Sequence, residues 1–80
     1  MPNNNANIIN GKKMASKGAN EIKEGVTQVA NGMKQIVNGN GADGNKNIAE
    51  GQKKINNGAK KVNIGNNMMA NGAKSALQQQ

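Results

Sequence analysis

Glycine recurs every seven residues along almost the whole of this 80-residue chain. The glycines form two blocks, at Gly11, Gly18, Gly25, Gly32 and Gly39 and at Gly44, Gly51, Gly58, Gly65 and Gly72. Only Gly41, between the blocks, lies outside both series. A strict period of seven indicates a coiled-coil heptad, and the shift of phase between the blocks indicates two separate elements.

Within each block, an apolar residue follows each glycine by four positions and precedes the next glycine by three. This spacing places the apolar residue at heptad position a and glycine at position d. The predicted packing glycines are Gly11, Gly18, Gly25, Gly32, Gly51, Gly58, Gly65 and Gly72. The predicted knobs, the side chains that insert into the facing helix, are Ile8, Ile22, Val29, Ile36, Ile48, Ile55, Val62 and Met69. Ala15 and Ala76 occupy position a in the two remaining heptads.

Three backbone conformations compete for this pattern. Asn-Gly pairs such as Asn31-Gly32 favour hairpin turns, but an odd period would put successive glycines on opposite faces of a strand. Disorder suits a chain with only 34% apolar residues, yet it leaves the fixed register of apolar residues and glycines unexplained. A helix accounts for both features. Because each interior glycine costs about 1 kcal/mol relative to alanine, eight of them require close packing to offset roughly 8 kcal/mol.

The break between the blocks predicts an all-α fold, an antiparallel two-helix hairpin in one domain of residues 1–80. Helix one is predicted at about 5–37, the turn at 38–45 and helix two at about 45–77, because residues 38–45 are dense in Asn, Gly and Asp. A register in which facing residue numbers sum to 80 sets Ile36 opposite Gly44 and Gly32 opposite Ile48. A register summing to 87 alternates knob and glycine equally well, so both remain open.

Apolar residues also occupy positions e and b, beside the predicted seam. The predicted lateral contact face comprises Ile9, Val26, Ala30, Met33, Val37, Ala70 and Leu77. This apolar arc is wider than one two-stranded seam requires. A small chain with no Cys, His or aromatic residue has oligomerisation as its main route to stability. The sequence therefore predicts a homo-oligomer or polymer, such as a larger helical bundle or filament, although tolerated surface alanines are an alternative explanation of the stripe.

The residue types exclude most chemistry. Without His, Cys or Tyr, the chain lacks the usual general bases and strong nucleophiles, and Ser16 and Ser75 have no base nearby in sequence. We therefore predict no enzyme activity, no catalytic, cofactor-binding or metal site, and no small-molecule substrate. Glu21 is expected to pair along its own helix with Lys17.

The net charge of +7 comes from 11 lysines and four acidic residues, without arginine. Six lysines share position f and form an expected solvated stripe, at Lys13, Lys34, Lys46, Lys53, Lys60 and Lys74. Nucleic-acid binding is disfavoured because neither arginine forks nor stacking aromatics are present. An anionic membrane surface stays open as a partner.

The N-terminal segment has no basic region followed by an apolar run, and no apolar stretch is long enough to span a bilayer. We therefore expect neither a classical signal peptide nor a transmembrane segment. Export by a non-classical route to the cell surface or the medium is favoured over a cytoplasmic location.

The segment Gly25-Val-Thr-Gln-Val-Ala-Asn-Gly32-Met-Lys-Gln-Ile-Val-Asn-Gly39 resembles the X-X-X-Leu-X-X-Gly heptad repeats of bacterial surface proteins. Such repeats occur in the extracytoplasmic helical region of phage-infection-protein-type membrane proteins. The resemblance covers nearly the whole chain, with Ile, Val or Met where those repeats have Leu. It implies long glycine-notched helices on or outside a bacterial cell, and it carries over no catalytic or ligand-binding residue.

Two classes of function follow from these patterns. The first is a structural subunit that self-assembles into a filament, tube or bundle. The second is a helical-hairpin binding module that docks on a partner helix, an anionic membrane or nucleic acid through its lysine face. Ice binding by a flat array of small residues is a third class, weakened because Thr27 is the only threonine.

Overall fold

Two long antiparallel helices make up the computed structural model, which describes residues 4–78. Helix α1 spans Asn4–Val37 and helix α2 spans Gly41–Gln78. The helices pack side by side along their length, and the Cα atoms extend over 62 × 14 × 12 Å. The predicted all-α hairpin is confirmed.

Helix α1 ends in a hydrogen-bonded motif built on Gly39. The N–H of Gly39 donates to the carbonyl of Ile36 at 3.1 Å, and the N–H of Asn40 donates to the carbonyl of Gln35 at 2.8 Å. These two bonds, with a φ of 96° at Gly39, form a Schellman motif. The motif satisfies carbonyl groups at the helix end and turns the chain back within three residues.

Helix α2 begins at Gly41, four residues before the predicted start, so the predicted turn of 38–45 is too long. The N–H of Gly44 donates to the carbonyl of Asn40 at 2.9 Å, which closes the first helical turn. Asp43 lies in this turn, where a negative charge interacts favourably with the helix dipole. The early start also carries Gly44 into the helix, where it is buried against α1.

Replacing Gly39 by alanine is expected to lower the free energy of unfolding by about 1 to 2 kcal/mol, the cost of a left-handed conformation for a residue with a Cβ. A Cβ at Gly39 would meet no atom within 4 Å, so the effect is conformational and not steric. Urea unfolding followed by circular dichroism at 222 nm measures the change. Gly39→Asn should lose less, because asparagine tolerates this conformation better, and equal losses for the two variants would contradict the assignment.

Candidate functional site

The centre of the hairpin is a seam of glycine. Nine described residues are buried, and all nine are glycines: Gly11, Gly18, Gly25, Gly32, Gly44, Gly51, Gly58, Gly65 and Gly72. This set contains the eight glycines predicted to pack, together with Gly44. No apolar side chain within residues 4–78 is buried.

Main chain packs against main chain across this seam. A Cβ placed on Gly25 would lie 2.5 Å from the carbonyl oxygen of Gly51, and one placed on Gly51 would lie 2.6 Å from the carbonyl oxygen of Gly25. Both distances are below the 3.0 Å that real Cβ contacts essentially never cross. The same reciprocal facing joins three further pairs, namely Gly11 with Gly65, Gly18 with Gly58, and Gly32 with Gly44. Only glycine therefore permits this separation of the helices.

This close approach contributes stabilisation that opposes the cost of the glycine content. Main-chain atoms in contact along the hairpin gain dispersion energy at each step. Carbonyl oxygens that face glycine Cα groups are also placed for weak Cα–H···O interactions, each worth about 0.5 to 1 kcal/mol. These terms act against the loss of helix propensity at the same positions.

The apolar residues at position a sit beside the facing glycines in the register that sums to 80. A Cβ on Gly25 would lie 2.8 Å from Cγ1 of Ile55, and a Cβ on Gly51 would lie 2.7 Å from Cγ2 of Val29. The other described pairs are Gly11 with Met69, Gly18 with Val62, Gly32 with Ile48, Gly44 with Ile36, Gly58 with Ile22 and Gly65 with Ala15. The register summing to 87 is not adopted. Every residue at position a remains partly accessible, including Ile8, and Ile36 is 41% exposed.

Position g of both helices carries the polar contacts between them. Nε2 of Gln28 donates to Oδ1 of Asn47 at 3.3 Å and to Oε2 of Glu50 at 2.9 Å, and Nδ2 of Asn47 donates to Oε1 of Gln35 at 2.5 Å. The ammonium of Lys61 forms an ion pair with Glu21. We call the surface formed by positions g and c of both helices the polar face. Its contacts join g to g or g to c, so the g positions of α1 and α2 lie on the same side of the hairpin.

This interhelical polar stripe was not predicted from the sequence. Glu21 pairs across the seam with Lys61 and not, as expected, along its own helix with Lys17. The sequence did contain a signal for this pairing. The residue numbers of Glu21 and Lys61, and those of Gln35 and Asn47, both sum to 82, so the antiparallel register that pairs knobs with glycines also brings these g positions together. Side chains of Lys61 and Glu21 are 35% and 25% exposed, so the ion pair contributes about 1 kcal/mol or less. These interhelical polar contacts therefore help to select the register that sums to 80 and add little to the free energy of unfolding.

The opposite side of the hairpin is an apolar surface that no other part of the described chain covers. Around a helix the heptad positions follow the order g, d, a, e, b, so with g on one side of the seam, a and e lie together on the other. We call the surface formed by positions a and e of both helices, with b at its margins, the apolar face. Val26 and Met33 at position e are 54% and 56% exposed.

All residues of the predicted lateral contact face lie on this apolar face and are exposed. They are Ile9, Val26, Ala30, Met33, Val37, Ala70 and Leu77. Val37, at the margin near the turn, is 85% exposed and Leu77 is 71% exposed. The structure extends the predicted stripe inward, because the half-buried knobs at position a form the middle of the same surface.

The charged residues are also distributed unevenly between the polar face and the apolar face. All four acidic residues, Glu21, Glu24, Asp43 and Glu50, occupy positions g or c of the polar face. Positions a and e carry a single charged residue, Lys12. The six f lysines are exposed along the edges of the hairpin. The molecule is therefore a ribbon with one polar face, one apolar face and basic edges.

The polar face holds an open groove of about 370 Å³ beside Gln28, Asn31, Asn47 and Lys54. Oε1 of Gln28 is buried there without a hydrogen-bond partner. In the described range 4–78 there is no cluster of three or more metal-ligating side chains. Neither described helix has the length and apolarity needed to cross a bilayer.

Comparisons of this chain with protein-family models, with curated proteins and with solved structures find no match.

Proposed function

We propose that this chain is a non-enzymatic structural subunit that self-assembles through its apolar face into a larger helical assembly. One observation carries the proposal: among residues 5–78 the only buried residues are glycines, while Ile, Val and Met side chains line one side of the ribbon. Burial of apolar side chains is the dominant favourable term in folding. A hairpin that buries none has its main source of stabilisation still available for association.

The size of the chain strengthens this argument. Domains near this length bury a smaller fraction of their surface than larger domains do and are marginally stable even with an ordinary core. Here the seam contributes main-chain contacts but no buried aliphatic side chain. Association through the apolar face would add the missing core between subunits.

A bacterial surface location forms part of the proposal and is supported by the repeat resemblance alone. Glycine-notched heptads that resemble these occur in extracytoplasmic helical regions of bacterial surface proteins. The proposal assigns no substrate, cofactor or catalytic residue to the chain.

Association is expected to make stability depend on chain concentration, because a partner that binds only the folded state raises its stability by mass action. The thermal midpoint, followed by circular dichroism, should rise as the chain concentration increases. Sedimentation velocity should give a mass above the 8.3 kDa of one chain. A chain that sediments at 8.3 kDa and melts at the same temperature over a hundredfold range of concentration would contradict self-assembly.

A further inference from the structure

We infer that the apolar face is covered by a second copy of the same chain, and that the assembly closes at two hairpins packed face to face. The inference rests on the proposed function, because it specifies the partner and the number of subunits in the assembly. It depends on the area of the face, on the polar residues set within it, and on the difference between the two sides of the ribbon.

The area matches that of a stable dimer interface. With Cα extents of 62 and 14 Å, one side of the hairpin has a projected area on the order of 900 Å². A standard specific interface takes about 800 Å² from each partner. One hairpin laid on another therefore buries enough surface without a contribution from the edges or the polar face.

The polar residues on the face favour a second copy over a bilayer. Position e of α2 contributes the amides of Asn45, Gln52 and Asn66 among its apolar neighbours. In hydrocarbon these amides would lose hydrogen bonds to water without replacement. A second copy brings equivalent amides that can both donate and accept. The chain also has no aromatic residue of the kind that anchors interfacial helices in membranes.

The two charged residues of the face, Lys12 at position e and Lys23 at the marginal position b, are compatible with this packing. Lys12 lies far from the turn, toward the open end of the hairpin, and it is exposed. A lysine can place its methylene groups against apolar surface while its ammonium reaches water at the rim of an interface. Neither lysine therefore needs to be buried as a charge.

Because only one of the two faces of the hairpin is apolar, the assembly is limited to two subunits. A filament needs an interface that leaves a further adhesive surface free after each addition, whereas an isologous pair uses the same surface on both partners. Here the remaining broad face holds all four acidic residues, and the edges carry the exposed f lysines. A net charge of +7 on each chain also opposes the addition of further copies. Two hairpins thus form a four-helix assembly with apolar residues inside and polar faces outside.

Sedimentation equilibrium of the full chain over a wide concentration range tests the closure. We expect the mass to rise from one chain to two and then to stay constant. Mass that continues to rise, or fibres in electron micrographs, would overturn closure and leave self-assembly standing. A constant mass of three or more chains would do the same. A chain that remains a monomer would overturn both this inference and the proposed function.

Oxidation of the natural methionines tests which face is covered. Met33 on the apolar face is 56% exposed in a single hairpin, whereas Met14 and Met68 on the polar face are only partly accessible. Because oxidation follows exposure, dilute peroxide should oxidise Met33 fastest in a lone hairpin. In the closed dimer we expect Met33 to react several-fold more slowly than Met14 and Met68, as read by peptide mass spectrometry. Fastest reaction at Met33 under dimer conditions would overturn the assignment of this face.

A pair of charge-matched variants gives the third test. Val26→Asp places a carboxylate on the apolar face of both copies and should weaken dimerisation by at least about a hundredfold. Asn31→Asp adds the same charge to an exposed position of the polar face and should leave the dimer intact. Equal dimer affinity for the two variants would overturn the inference.

Mixed phosphatidylglycerol and phosphatidylcholine vesicles test whether a lipid surface covers the apolar face instead. We expect the dimer to remain in solution when vesicles are added at physiological salt. If the vesicles instead bind the chain and protect Met33 from peroxide, the occupant of the face is a lipid surface and the inference is wrong.

Discussion

Replacing Gly18 by alanine is expected to lower the free energy of unfolding by about 3 kcal/mol, although alanine is the better helix former by about 1 kcal/mol. A Cβ at Gly18 would collide with the carbonyl oxygen of Gly58, would lie 2.8 Å from the main-chain nitrogen of Val62, and would lie 2.9 Å from Cβ of Lys61. None of these atoms can move by a change of rotamer. The two helices must separate, and separation removes contacts at neighbouring pairs as well.

The matched control is Gly41→Ala. Gly41 is the first residue of α2, and a Cβ there would meet no atom within 4 Å. This variant should gain up to about 1 kcal/mol from helix propensity. Both free energies are measured by urea unfolding at 222 nm, at equal chain concentration. If Gly18→Ala were as stable as Gly41→Ala, the seam would not be held by main-chain contact.

Truncation of Ile55 to alanine is the second change with a large expected effect. Its Cγ1 lies against Gly25 across the seam, but the side chain remains partly accessible on the apolar face of one hairpin. In a lone hairpin the loss would be about half that of a core isoleucine, roughly 1 to 1.5 kcal/mol. With the face covered by a second hairpin we expect about 3 kcal/mol per chain.

Ile64→Ala provides the comparison for Ile55→Ala. Ile64 belongs to the same helix and is 50% exposed at position c of the polar face. The same truncation should cost less than about 0.5 kcal/mol, because little burial is lost and alanine improves helix propensity. Urea unfolding measures both variants, and equal costs at Ile55 and Ile64 would contradict a covered apolar face.

The helices and their pairing could be predicted because glycine marks every heptad in both arms. The sequence left two registers open, and the observed turn accounts for the one that sums to 80. A sum of 80 centres the hairpin at residue 40, within the three-residue linker that Gly39 opens by adopting a φ of 96°. A sum of 87 would centre it near residues 43 and 44, which are already helical. The start of α2 was misplaced because the Gly and Asp residues between positions 41 and 44 are typical of turns, although Asp is also frequent in first helical turns.

The sidedness of the hairpin was harder to foresee. The side chains at position a were expected to lie inside a seam formed by positions a and d. The main-chain contact between glycines instead centres the seam on position d. Positions g and a therefore flank the seam, one on each side. The polar residues at g, such as Gln28 and Asn47, have no periodic marker comparable to glycine. These side chains lie within hydrogen-bond distance of each other because the glycine contacts hold the two helices close together. The sequence pattern does not specify that helix separation.

The facing pairs of glycines make this hairpin a modular rod. Each heptad pair repeats the same cross-section, and its thickness is determined by main-chain atoms that are identical in every repeat. Seven residues removed from each arm at the same height would shorten the rod by about 10 Å and leave the remaining repeats in phase. The length of the rod can therefore vary in steps of one heptad pair, while its width and the separation of its polar and apolar faces stay constant. The same cross-section can form rods of different lengths.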